Sequence, residues 1–202
     1  MSSHDGESGF GEDPLAWFKS SFERASAAES FDASRAALAT VSPGGQPTAR
    51  FVLVKQVDER GFAFFTNFNS SKGRDLLANP RAALVYHWSS IGEQVRVEGA
   101  VVRVDEAEAD AYFASRPRGS QLGAWASAQS APIASREAME RALAVVTERF
   151  AAYEQVPRPA HWGGYRVLPS SIEFWRDRPN RMHDRIVFTR EAGSWLSTRL
   201  QP

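Results

Sequence analysis

Residues 36–55 read AALATVSPGGQPTARFVLVK, two apolar runs, AALATV and TARFVLVK, separated by a Pro43-Gly44-Gly45 turn. Short apolar runs bounded by turn residues read as strands, and a tight turn between them returns the chain beside itself. The same texture continues outward: a turn at Asp58 to Gly61, then FAFFTN (62–67), and later AALVYHW (82–88). This meander predicts an antiparallel sheet.

Further along, EQVRVEGAVVRV (93–104) alternates Gln94, Arg96 and Glu98 with Val95 and Val97, as a strand with one buried face requires. YRVLP (165–169), SIEFW (171–175), DRIVFTR (184–190) and a final SWLSTRL (194–200) extend the pattern. Between these runs lie helical signals. Asp13-Pro14 is an N-cap followed by proline at the first helical position, with Leu15, Phe18, Phe22 and Ala25 at helical spacing. NSSKGRDLLANP (69–80) predicts a helix of two turns, and Asp105 with Glu108 opens a third that Pro117 must end. The segment from Ser135 to Tyr153 reads as the longest helix, with Met139, Leu143, Val146, Phe150 and Tyr153 forming a stripe for the core or a subunit interface. Around seven strands with peripheral helices predict a single barrel-like α+β domain over residues 14–202. Residues 1–13 read as a disordered acidic tail.

Composition narrows the function. Lys and Arg total 24 and so do Asp and Glu, so no global charge points to nucleic acid or an anionic membrane. No apolar run is long enough to span a bilayer, and the acidic N-terminus lacks the basic region of a secretory signal; a cytoplasmic location is expected. Cysteine is absent, which removes disulfides, thiolate nucleophiles and Cys-ligated metals. Redox work would need a bound cofactor.

The fingerprints GxGxxG, GxxxxGK[ST] and GxSxG are missing, and the four histidines lack metal-binding spacing, so no metal site is expected. What remains suits anions. Ser70-Ser71-Lys72 opens a helix, where N–H groups, hydroxyls and an ammonium converge on one anion; the plainer alternative is an ordinary Ser cap beside a solvated Lys. Tyr112 and Arg116 share a helix face and Ser120 follows a Pro-Arg-Gly turn, a cradle for phosphate or simply a surface helix end. Arg50 and Lys55 flank FVLV on opposite strand faces. Arg176, Arg178, Arg181, His183 and Arg185 crowd beside Trp175; a strand would aim Arg181, His183 and Arg185 to one side, toward a planar anion, whereas a solvated basic loop would not.

Taken together, RFVLVK (50–55), YFASRPRGSQLGAWASAQS (112–130), WGGYRV (162–167), IEFW (172–175) and RMHDR (181–185) resemble the pyridoxine/pyridoxamine 5′-phosphate oxidase family, from about Pro14 to Pro202. The resemblance implies a mainly antiparallel split β-barrel and a homodimer with FMN at the interface. It implies FMN contacts from Arg50, Phe51, Val52, Leu53, Val54 and Lys55, from Phe65, Thr66, Ser71 and Lys72, and from Gln94, Gln129, Ser130, Trp175 and Arg185. Lys55, Tyr112, Arg116 and Ser120 match the family's grip on substrate. Arg181, Met182 and His183 match its substrate contacts too, with Arg181 and His183 as catalytic residues beside the reacting pyridine. The implied reaction takes pyridoxine or pyridoxamine 5′-phosphate to pyridoxal 5′-phosphate, with O2 as acceptor and hydrogen peroxide as product.

Three positions depart from the family's frequent pattern. Ser71 stands where Arg often precedes the Lys, Glu93 where Arg often precedes the Gln, and Arg176-Asp177 where Gln-Gly often follows the Trp. Rival readings are another split-barrel flavin oxidase of the phenazine type, a noncatalytic flavin- or pyridoxal-phosphate-binding protein, and a nucleic-acid-binding barrel, the last weakened by zero net charge.

Overall fold

The computed structural model describes residues 13–202, so all but the last residue of the expected tail lies outside the described residues. Eight strands build one antiparallel sheet: β1 (Arg35–Val41), β2 (Pro47–Asp58), β3 (Gly61–Asn67), β4 (Arg81–Trp88), β5 (Glu93–Arg103), β6 (Trp162–Arg176), β7 (Asp184–Glu191) and β8 (Ser194–Leu200). Their order is β3-β2-β1-β4-β5-β6-β7-β8, and a β3–β6 pairing closes the first six into a barrel. β7 and β8 continue the sheet beyond β6. The fold is the expected split β-barrel with peripheral helices, α+β in class.

The 36–55 stretch pairs as its pattern requires, with Ala36 opposite Val52 and Val41 opposite Pro47. YRVLP and SIEFW are not separate strands. Both belong to β6, whose register against β5 shifts at Glu98/Gly99, so Pro169 at the end of the first run sits at an irregularity where a lost ladder bond is tolerated. Gly99 is required there, because a Cβ would lie 1.9 Å from the Leu168 carbonyl.

α1 (Pro14–Ala28) packs one face onto the barrel core as a plug, burying Trp17, Phe18, Ser21 and Ala25, while its other face is exposed. Asp13 accepts from the Leu15 N–H, as its N-cap role predicts. Phe18 meets Phe62 and Tyr86 edge-on at 5.0 and 5.1 Å, while Trp17 stacks on Phe174 at 4.2 Å. α2 (Ser71–Ala78) starts at the Ser70 cap, and α3 (Glu106–Ser115) starts at Asp105, whose carboxylate accepts from Glu108 N.

Two helical expectations need correction. α4 (Arg118–Ala126) replaces the Pro-Arg-Gly turn, because Pro117 accepts the Ser120 and Gln121 N–H groups and launches a helix. α5 (Arg136–Arg149) is one residue shorter than α1, and so is not the longest helix. Its stripe divides: Val146 and Phe150 join a second cluster with Phe113, Leu122, Val156 and Trp162, while Met139, Leu143 and Tyr153 stay exposed.

Candidate functional site

A cleft of about 590 Å³ opens between β2, β3 and the α3–α4 corner. Phe51, Val52, Leu53 and Lys55 line it from β2, and Phe65 and Thr66 from β3. Lys72, Gln129, Tyr112, Arg116 and Ser120 complete its predicted members. Segments from Phe51 to Trp162 thus converge, because β2–β3 and β3–β6 pairing lay these strands beside the helices that follow β5.

Lys72 is buried, and its ammonium donates to Thr66 Oγ1 at 3.1 Å, Ser70 Oγ at 3.3 Å and Gln129 Oε1 at 3.1 Å. All three acceptors are neutral. Burial, with the Arg50 guanidinium adding repulsion, pulls its amine down to about 8. A buried cation without a carboxylate partner is costly, and an incoming anion would relieve that cost.

Arg50 lies behind Lys72 on the inner face of β2. Its guanidinium donates to Thr40 Oγ1 and Thr48 Oγ1, each at 2.6 Å, and both hydroxyls donate onward to the buried Asp75 carboxylate. Lys55, on the outer face, pairs with Asp32 at 2.9 Å. Hydrogen bonds from Ser34 and then Lys55 hold the Asp32 carboxyl down to about 2. The opposite-face expectation for Arg50 and Lys55 therefore holds, whereas Val54 turns into the core and does not line the cleft.

The opposite wall is aromatic and cationic. Phe65 and Tyr112 stack at 4.0 Å, and Trp162 lies nearly parallel to Tyr112 at 6.2 Å. The Arg116 guanidinium sits 4.7 Å from the Trp162 ring centre. Burial lowers its affinity for its proton, and its Nη1 is buried with no hydrogen-bond partner. An arginine remains charged even so, so Arg116 presents a second cation that lacks an anion. Ser71 and Ser130 pair with each other and do not line the cleft: Ser71 N donates to Ser130 Oγ at 3.2 Å, with Ser130 in the left-handed conformation (φ 71°).

The remaining predicted residues lie apart from the cleft. Gln94, Trp175 and Arg185 are register partners across β5, β6 and β7, and His183 packs on Trp175 at 4.5 Å. The expected strand through RMHDR is not found: Pro179–Arg181 form a helical turn, Asn180 and Arg181 have φ of 59° and 60°, and β7 starts only at Asp184. Consecutive left-handed residues turn the chain, so Arg181 and His183 do not alternate along one strand face. Within the chain, neither they nor Met182 line the cleft.

Sequence reading passed over Trp162 as a cleft wall and Asp32 as the partner of Lys55. Trp162 stood in a quoted motif, but only the β3–β6 closure carries it to Tyr112. Asp32 had no local signal.

A closed barrel with strands added beyond one seam, bearing a cleft lined by aromatic rings and by Lys72 and Arg116, defines a split-barrel protein. Comparison with known proteins makes this specific. Residues 25–150 match the family described as Pyridoxamine 5'-phosphate oxidase, and residues 162–202 match the Pyridoxine 5'-phosphate oxidase C-terminal dimerisation region. A pyridoxine/pyridoxamine 5'-phosphate oxidase of Anaeromyxobacter dehalogenans is 55% identical over 190 residues, covering 94% of this chain and 96% of that one. One from Rubrobacter xylanophilus is 53% identical, covering 97% and 90%. The solved structure of PhzG from Burkholderia lata 383, in complex with tetrahydrophenazine-1-carboxylic acid, superposes with a TM-score of 0.88 at 30% identity, covering 95% of this chain and 94% of that one. The chain belongs to the pyridoxine/pyridoxamine 5′-phosphate oxidase family.

Proposed function

We propose that the protein is an FMN-dependent oxidase that converts pyridoxine 5′-phosphate or pyridoxamine 5′-phosphate to pyridoxal 5′-phosphate, with O2 as electron acceptor and H2O2 as product. One observation carries the reading: a single cleft holds two cations, Lys72 and Arg116, whose hydrogen bonds reach no carboxylate. A phosphorylated flavin and a phosphorylated substrate bring two phosphates, one for each cation.

Bound in the cleft, FMN would supply the two-electron acceptor that this cysteine-free chain lacks. Lys72, backed by Arg50, would hold its phosphate, with Ser71, Ser130 and Gln129 supplying neutral donors and the β2 segment from Phe51 to Lys55 lying along it. Arg116, Tyr112, Ser120 and Lys55 would grip the substrate phosphate. Their work is orientation: a fixed anion holds the reacting carbon at one place and angle, and the aromatic wall excludes water around it.

The patch formed by Gln94, Trp175, Arg181, Met182, His183 and Arg185 enters this reading through a homodimer. A second copy would bring its patch to the first copy's cleft, with Arg181 and His183 beside the reacting pyridine. The match of residues 162–202 to a dimerisation region supports that arrangement.

A second reading, a phenazine-type flavin oxidase, is favoured by the close superposition on PhzG. In it a ligand carboxylate, not a phosphate, would face Arg116. To separate the two, the purified protein is examined for flavin absorbance and released FMN, then given pyridoxine 5′-phosphate under air while aldehyde and peroxide are followed together. Equal yields of both are expected. Flavin without turnover would instead support a noncatalytic binding protein, and turnover of tetrahydrophenazine-1-carboxylic acid alone would support the second reading.

A further inference from the structure

Among the side chains that hold the α3–α4 corner carrying Tyr112, Arg116 and Ser120, Gln121 lies outside the cleft and reaches the most carbonyls. A helix ends with carbonyls that have no partner within it. At the end of α3, three carbonyls turn toward one point: Gln121 Nε2 donates to Phe113 O at 3.1 Å, Ala114 O at 3.1 Å and Arg116 O at 3.0 Å. Carbonyls only accept, so the amide nitrogen must face them, and Gln121 is itself buried. Its anchor is firm, because Pro117 O accepts the backbone N–H of both Ser120 and Gln121 at the first turn of α4.

We propose that Gln121 is a positioning residue for substrate phosphate, locking the main chain of Arg116 while Trp162 fixes its guanidinium at the cleft wall before the anion arrives. The proposal rests on the reading of Arg116 as a phosphate-binding cation. Gln121 does not line the cleft and acts only through the corner. Arg116 leaves α3 in an extended conformation (φ −73°, ψ 147°), beyond the last helical residue, so its carbonyl has no helical partner to hold it. Its guanidinium lies over Trp162 and Phe113 at 4.7 and 5.6 Å. Immobilising a long side chain in advance removes an ordering cost that binding would otherwise bear.

The test compares Gln121→Met, an apolar near-isostere with no donor, with Gln121→Glu, which donates only when protonated. Flavin-loaded protein is assayed for the KM of pyridoxine 5′-phosphate, the inhibition constant of inorganic phosphate, kcat and flavin content. In Gln121→Met both KM and the phosphate constant should rise about tenfold, the scale of one lost hydrogen bond, with kcat within about twofold and flavin retained. Three facing carbonyls disfavour an ionised carboxylate, so Gln121→Glu should match Gln121→Met at pH 8.5 and recover toward the parent at pH 6. Gln121→Met should show no such recovery.

Unchanged KM in both variants overturns the proposal. So does a joint fall of kcat, flavin content and affinity, or failure of both variants to fold at pH 6, because each marks a purely structural amide. Arg116→Ala separates this outcome from the underlying reading: if it leaves KM unaltered, the phosphate assignment of Arg116 fails whatever Gln121 does.

Discussion

Glu93 and Arg176 are register partners across β5 and β6, joined by an ion pair of 2.7 Å. The family resemblance marks both positions as departures, and the structure sets the carboxylate of one strand against the guanidinium of its partner. Glu93 also accepts from Arg24 of α1 at 3.0 Å through both carboxylate oxygens. The buried carboxylate therefore ties the barrel wall to its helical plug.

Removing it should be expensive. Glu93→Ala removes the buried carboxylate that both guanidinium groups contact, and breaking a buried pair typically costs about 3 to 5 kcal/mol. Because Arg24 and Arg176 are partly exposed (45% and 29%), the lower part of that range is expected, with Tm falling roughly 5 to 15 °C. The double variant Glu93→Arg, Arg176→Gln should remain less stable than the parent, since Arg24 still loses its carboxylate. Thermal melts of the three proteins check both statements.

Lys72 makes the flavin-free protein pH-sensitive in a defined direction. Its amine sits at about 8 in the fold against 10.5 in the open chain, because burial and then Arg50 disfavour its charge. The unfolded chain therefore binds more protons between these values, and stability should rise as pH climbs from about 8 toward 10.5. Below 8 the penalty is fully present. Inorganic phosphate should show the opposite trend, binding best below pH 8 and weakening above it. Melts across pH 7 to 10 should flatten in Lys72→Met, and persistence of the slope would exclude Lys72 as its source.

Ser71 opens α2 one residue before Lys72, at a position where the family resemblance implies a frequent guanidinium. Under the FMN reading, Ser71→Arg should tighten FMN binding by about 1 to 2 kcal/mol, roughly five- to thirtyfold, with the gain shrinking as salt increases. Flavin fluorescence titrations of the two proteins in one buffer decide it. Equal affinity would mean that Lys72 and Arg50 already saturate the phosphate.

Tyr86 buries its hydroxyl among Phe18, Phe62 and Trp88 with no hydrogen-bond partner, and burial pushes its phenol well above the ordinary value. An unsatisfied buried hydroxyl costs about 1 to 3 kcal/mol. Tyr86→Phe should therefore raise stability by about 1 kcal/mol, near 2 to 4 °C in Tm. A lower Tm would reveal a buried water bridging that hydroxyl.

Sequence alone marked many of the local elements, though not α4 or the turn at Pro179–Arg181. Strand alternation marked the buried face of β5, and the caps at Asp13, Ser70 and Asp105 marked three helix starts, because a two-residue period and an N-cap are written within a few neighbouring residues. Motif order carried the family. Tertiary structure decided everything that depends on partners distant in sequence: that Glu93 answers Arg176, that Trp162 backs Arg116, that Asp32 pairs with Lys55, and that the predicted site residues divide between a cleft and a separate β5–β7 patch. RMHDR shows why such features escape a linear reading. Its alternating basic residues suit a strand, but two left-handed residues turn the chain first, and no spacing rule specifies a backbone conformation that only the surrounding fold can hold.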